Sequence, residues 1–444
     1  MKTFKRILFV ILIVFVVVAY FQYPKLNIIS GYASKNMAST VFITDRSPES
    51  VTVNDNDVPL IKLAEVESAS DEKQATASVF GLMKRKSICR DGLGCVLVNE
   101  KYDSMPVTPK PYRAFLENDL PFPFGNNGTK DTTLANVDYQ RLDKAIADVF
   151  ARPESQRTRT VLVVHKNQII AERYVKGFNQ NTPVLGWSMT KSVLATLFGI
   201  LKYQDKIDLN EPAPVAEWQG DTRNQITLNH LLRMQSGLAW DEDYASISDV
   251  TKMLFLASDM SKAQADNPSV AEPGEVWNYS SGTSNLLSGI LRRQFKTHHE
   301  YIDFPYIALI DKIGMHSMLM ETDMEGNFVG SSYAWATTRD WAKFGLLYLN
   351  GGKWNGERLF DQDWIDYIRK PTDGSEGDYG AHFWLNSGGK FPDVPRDMYF
   401  ANGYQGQRVF IIPSKDLVVV RTGLAEEPEF DINGFIRDVV AAIK

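Results

Sequence analysis

Only two cysteines, Cys89 and Cys95, occur in 444 residues, and only six histidines. The histidines are scattered, with His298 and His299 the one adjacent pair. No His-Glu-x-x-His or Cys-x-x-Cys spacing occurs, so no metal is expected, nor any other cofactor. An excess of basic charge is missing too. Lys and Arg number 48 against 54 Asp and Glu, a net charge of −6, which leaves no footprint for nucleic acid. Internal repeats are absent. What the chain does have is apolar and aromatic mass: 44% hydrophobic residues, with 9 Trp, 18 Tyr and 24 Phe. That is enough for a large core and for two or three domains.

One long apolar run exists, and it lies at the amino terminus. Lys2, Lys5 and Arg6 precede Ile7 to Phe21. Positive charge followed by an apolar stretch is the layout of an export signal. The run falls short of the roughly 20 residues that span a bilayer comfortably. The bulky Gln22-Tyr23-Pro24-Lys25 offers no small-residue cleavage site. Residues 1–22 are therefore read as a signal anchor or signal peptide, with the bulk of the chain outside the cytoplasm. The rival reading is a buried core helix. Export places Cys89 and Cys95 where a disulfide can form across a glycine-containing loop; two buried thiols are the alternative.

Residues 23–130 read as an amino-terminal extension: a tether to about 45, short β-like pieces such as 50–53 and 94–98, a charged surface loop or helix over 65–74, and a Pro-rich connector from Pro106 to Pro123. Residues 131–444 read as one larger domain. An amphipathic helix is expected over 137–149, then strands over 159–165 and 168–174 joined by a Lys-Asn turn. The region from 200 to 350 is mainly helical. Strands over 408–413 and 416–421 and a helix over 433–443 close the chain. Strands at both ends with helices between predict an α+β fold, an antiparallel sheet flanked by helices with an inserted mainly helical region.

Ser-x-x-Lys occurs three times, at Ser70, Ser188 and Ser387. Only Ser188-Met189-Thr190-Lys191 opens an apolar helix, which puts both side chains on one face of its first turn. A serine hydroxyl becomes a nucleophile when a neighbouring group takes its proton, and a buried lysine can serve. An ordinary helix start would read the same. Two further pieces carry chemistry. In Trp277-Asn278-Tyr279-Ser280-Ser281-Gly282, a tyrosine beside a lysine can act as a base, although a core aromatic is the plainer reading. In Ala401-Asn402-Gly403-Tyr404, a glycine at a strand edge admits a substrate backbone, and a backbone N–H there can pair with that of Ser188 as an oxyanion hole. A plain hairpin turn is the alternative.

Taken together, these pieces resemble the penicillin-recognising serine hydrolases, in the branch with class C β-lactamases, family VIII esterases and 6-aminohexanoate-dimer hydrolase. The resemblance covers roughly 135–444. It also rests on Lys206-Ile207-Asp208-Leu209-Asn210-Glu211-Pro212, on the run from Ile226 through His230 and Met234 to Gly237-Leu238, and on later blocks at 340–345 and 413–420. It implies a β-lactamase/DD-peptidase-like fold and a bacterial source. Ser188 would be the acylated nucleophile, Lys191 and Tyr279 its proton network, and the Ser188 and Tyr404 amides the oxyanion hole. Ser281 stands where the family's Tyr-x-Asn motif has asparagine, as in the dimer-hydrolase branch. Asn402 and Gly403 would border the substrate, with Trp240 and Trp384 as further lining candidates. The loops 240–265 and 379–391 would shape the pocket. The family's Lys-Thr-Gly strand lacks its lysine here, since Ala401 takes that place. The expectation is a membrane-anchored or periplasmic serine hydrolase cleaving a small amide or ester. A β-lactamase or D-alanyl-D-alanine peptidase is one alternative, and a non-catalytic membrane-anchored sensor or scaffold is another.

Overall fold

The computed structural model describes residues 2–115, 120–125, 128–129 and 133–444, with the side chains of 2, 3 and 14–21 outside that set. Chain contacts divide it into two compact units. The first holds 1–90, 94–106 and 241–258; the second holds 91–93, 107–240 and 259–444.

In the first unit, helix α1 runs unbroken over Lys2–Thr44 and contains Pro24. The expected tether over 23–45 is thus helical. Its later half is core: Ile28, Ile29, Ala33, Met37 and Ala38 are buried. They lie on an antiparallel sheet of β1 (Ala64–Ala69), β2 (Gln74–Val79), β3 (Leu82–Arg90) and β4 (Gly94–Val98), in that order. The strand β2 alternates, with Ala75, Ala77 and Val79 turned inward. Small residues on both surfaces let the helix settle close. Ser34 then bonds across with its hydroxyl, to the Ala75 carbonyl at 3.0 Å and the Ser87 hydroxyl at 2.9 Å. The charged 65–74 segment is mostly β1 and its turn, because an edge strand can carry charge on its exposed face. Residues 50–53 are helical, not β-like. Cys89 and Cys95 face each other in the β3–β4 ladder and are joined as a disulfide. Part of the expected 240–265 loop is here a helix, Asp249–Leu256. Ahead of the buried half of α1, Phe4 and Ile7 to Ile13 are 46–69% exposed. Among the described residues no helix is long and apolar enough to cross a membrane. The side chains of 14–21, within the expected signal segment, lie outside the described set.

The second unit is built on a six-stranded antiparallel sheet. Its strands are β5 (Thr158–His165), β6 (Gln168–Tyr174), β7 (Trp384–Leu385), β8 (Tyr399–Gly403), β9 (Gln407–Ile412) and β10 (Leu417–Gly423), ordered β7-β8-β9-β10-β5-β6. Late strand β10 therefore pairs with early strand β5, Leu417 opposite His165. Side chains alternate across the sheet as strand geometry requires. Val161, Val163, Phe410, Ile412 and Val419 turn to one face, against Leu142 and Ile146 of helix α2 (Tyr139–Asp148) and Phe435, Ile436 and Val439 at the chain's end. Leu162, Val164, Val409, Ile411, Val418 and Val420 turn to the other, where helix α3 (Met189–Tyr203) lies. Every residue of α3 from Met189 to Leu201 is buried, including Lys191, which matches its all-round apolar sequence. Helices α4 (Ser281–Arg292) and α5 (Thr338–Leu349) pack in the same layer, and α6 (Ile432–Ala441) ends the chain on the other.

Candidate active site

The start of α3 is fixed from three sides. Val184–Leu185 pairs with Ala334–Ala336, and the Gly186 N–H continues that ladder to the Ala334 carbonyl at 2.8 Å. Trp187 then takes a positive φ of 46°, a conformation that costs a non-glycine residue about 1–3 kcal/mol. Its ring is held against Tyr333 at 6.1 Å and Tyr404 at 5.7 Å between centroids. The Thr190 hydroxyl caps its carbonyl at 2.7 Å. The bend leaves Ser188 half-buried at the helix mouth. Its N–H is outside the helical ladder and has no partner among the described residues.

Lys191 sits one turn on, 2% exposed. Its ammonium donates to the Ser188 hydroxyl at 3.2 Å, the Ser281 hydroxyl at 3.0 Å and the Ser331 carbonyl at 3.0 Å. Three acceptors offset the desolvation of a buried cation. The Tyr279 ring lies 4.9 Å below the same nitrogen. Thus Ser188, Lys191, Tyr279 and Ser281, distant in sequence, are brought together around one amine. Tyr279 is in turn braced by Trp384 at 5.5 Å and Tyr379 at 5.9 Å.

The strand edge closes the other side. A Cβ built on Gly403 would stand 2.1 Å from the Gly186 carbonyl oxygen and 3.2 Å from the Ser188 nitrogen. Close approach, not backbone angle, excludes any side chain there. Tyr404 follows, 43% exposed. Asn402 lies opposite Arg408 in the β8–β9 register, and its Oδ1 has no hydrogen-bond partner among the described residues. Trp240 packs over the first turn of α4, where a Cβ on Gly282 would meet its ring at 2.4 Å. It is a wall of that helix, 9% exposed.

Other contributing groups had no signature in the sequence. The Ser331 N–H donates to Asn285 Oδ1 at 3.1 Å, which ties the segment bearing the lysine's carbonyl partner to α4. His382 is buried between α3 and α4. Its Nδ1 donates to the Leu232 carbonyl at 2.7 Å, which leaves Nε2 to accept from Ser284 at 3.0 Å. Burial, with a smaller push from the Lys191 charge, lowers its pKa to about 3, so it is neutral. Arg408, 6% exposed, is brought down by burial to about 10, a fall resisted by Glu426, Glu427 and Tyr279. It remains a cation. Among the described residues no group of three or more His, Cys, Asp or Glu is arranged to hold a metal.

An antiparallel sheet with an apolar helix across one face, and a serine–lysine pair at that helix's mouth, define a serine hydrolase of the β-lactamase-like fold. The chain belongs to the Beta-lactamase family, whose pattern matches residues 146–437. Among its relatives is the 6-aminohexanoate-dimer hydrolase of Paenarthrobacter ureafaciens, 24% identical over 312 residues that span 64% of this chain and 77% of that protein. A solved structure assigned as a 6-aminohexanoate-dimer hydrolase from Bacillus anthracis superposes with a TM-score of 0.55 at 23% identity, covering 67% of this chain and 82% of that one. A family VIII carboxylesterase superposes with a TM-score of 0.52 at 15% identity, covering 70% and 98%. These structures share the fold.

Proposed function

We propose that this serine hydrolase cleaves a small amide or ester through an acyl-enzyme on Ser188. The observation that carries the reading is the bond from the Lys191 ammonium to the Ser188 hydroxyl, with the Tyr279 ring against the same nitrogen. Tyr279, assisted by Lys191, takes the Ser188 proton as Oγ attacks the carbonyl carbon. The carbonyl oxygen becomes an oxyanion, held by the Ser188 and Tyr404 N–H groups. The proton passes to the leaving amine or alcohol as its bond breaks. Water then attacks the acyl-serine, giving its proton to the same base, and the Ser188 hydroxyl is restored.

Ala401, fully buried, occupies the strand position at which related β-lactamases hold a cation. Together with the relative named for an ω-amino-acid dimer, this favours short amides and esters over β-lactams. A hydrolysis screen separates the readings: turnover of p-nitrophenyl esters or ω-amino-acid amides is expected, and no turnover of nitrocefin. Rapid acylation by penicillins would reverse the assignment. Ser188→Ala should abolish labelling by a fluorophosphonate probe; persistent labelling at another serine would sink Ser188 as nucleophile.

We further infer that the exposed apolar start of α1 is embedded in a membrane, with Lys2, Lys5 and Arg6 on the cytoplasmic side. Full-length protein should pellet with membranes and be released by detergent. Recovery in the soluble fraction with its amino terminus intact would reject this.

A further inference from the structure

We propose that Arg408 is a positioning residue that aims and polarises the oxyanion-binding N–H of Tyr404. The inference rests on the oxyanion reading given above. The Gly403 carbonyl and the Tyr404 N–H belong to one trans peptide, so they point in opposite directions from a common plane. Arg408 Nη1 donates to the Gly403 carbonyl at 2.8 Å and to the Gln407 carbonyl at 3.0 Å. A group that fixes the carbonyl of this peptide also fixes the direction of its N–H. Because the donor is a buried cation, its bond is stronger than one from a neutral donor. It draws charge from the carbonyl and leaves the N–H a better donor.

The rest of the turn is held as completely. Gln407 Nε2 donates to the Tyr404 carbonyl at 3.0 Å, and Arg421 Nη1 donates to the carbonyls of Gln405 at 3.3 Å and Gly406 at 3.0 Å. Every carbonyl from 403 to 406 therefore has a side-chain donor. Glu426 accepts from the Gln405 N–H. Gly406 leaves room for this arrangement, since a Cβ there would come within 2.2 Å of Arg421 Nη1. A turn required only to reverse the chain needs none of these buried guanidinium contacts. A turn that must present one N–H to a short-lived oxyanion gains from all of them, because preorganised donors need no rearrangement at the moment of reaction. Within the set, Arg408 is singled out because it alone binds the peptide that contains the Tyr404 N–H.

The test uses the full-length protein, the fastest ester from the screen above, and that ester's thiono counterpart, whose sulfur accepts hydrogen bonds poorly. Wild type should turn over the oxo ester far faster than the thiono ester. In Arg408→Met, kcat for the oxo ester should fall by about tenfold to hundredfold. KM should hold, and the oxo-to-thiono ratio should shrink in step. Arg408→Lys should recover part of both. A purely structural role would lower melting temperature and activity without moving the ratio. Where Arg408→Met does not fold, Arg408→Gln, which removes the charge and keeps a donor, is judged by the same criterion. If wild type itself shows no oxo preference, the oxyanion reading fails. If wild type discriminates and the neutral variant keeps the full ratio, the role of Arg408 is overturned.

Discussion

Lys191 shows how one buried side chain organises a site. Three of its acceptors come from Ser188 at the mouth of α3, from α4 and from the Ser331 segment, so moving any of them shifts the amine. Ser281→Ala removes one acceptor of a charged donor, a loss of about 1.5–3 kcal/mol, or roughly tenfold to hundredfold in kcat/KM. Steady-state kinetics on the fastest substrate checks this, and an unchanged kcat/KM would show that Ser281 is a bystander. The serine and lysine were legible because their spacing coincides with a helix opening. The Ser331 carbonyl was not, since it lies 140 positions away and a backbone atom has no residue signature. Asn285 and His382 were invisible for a related reason: a lone polar residue acquires meaning only from what folding places beside it.

Strand β8 and helix α1 show what could be read of whole elements. The apolar strands on both sides of the sheet announced themselves by composition, and the hairpin of β9 and β10 by its Pro-Ser-Lys turn. The later half of α1 did not, because its buried residues include Ser30, Ser34, Lys35, Asn36, Ser39 and Thr40, a polar string that reads as linker. Hydrogen bonds such as that from Asn36 to Asn56 make this burial tolerable. For β8 the decisive feature is Gly403, which any glycine-rich turn would have explained equally well. Gly403→Ala drives a methyl into the Gly186 carbonyl and pushes the strand edge from Ser188. A stability loss of about 1–3 kcal/mol is expected from overpacking, with a larger fractional loss of kcat. Denaturant melts and burst kinetics report the two separately; wild-type activity in this variant would mean the edge plays no part in catalysis.

Across the catalytic unit, two buried groups oppose each other as pH changes. His382 titrates near 6.5 when unfolded and near 3 when folded, so its contribution is present above 6.5 and lost as pH falls towards 3. Asp323 is pushed by burial and by Asp259 from 3.8 to about 7, so its contribution is present below 3.8 and lost as pH rises through 7. Between about 4 and 6.5 the two slopes cancel. Each approaches about 1.4 kcal/mol per pH unit. Relative to wild type, His382→Gln should make stability fall more steeply as pH rises across this window, and Asp323→Asn more steeply as pH falls. Urea titrations at several pH values would show it; parallel curves for all three proteins would reject the pairing.

The contact between Gly403 and Gly186 carries a consequence for the life of the chain. Ser188, the proposed nucleophile, and Lys191 emerge from the ribosome long before the strand that borders them. Until residues 399–423 are made and paired with the early strand 158–165, Ser188 lacks its second wall. On the mechanism proposed above, a chain interrupted during synthesis would lack the oxyanion-binding edge and be inert, and reactivity would arrive only with the last strands of the fold.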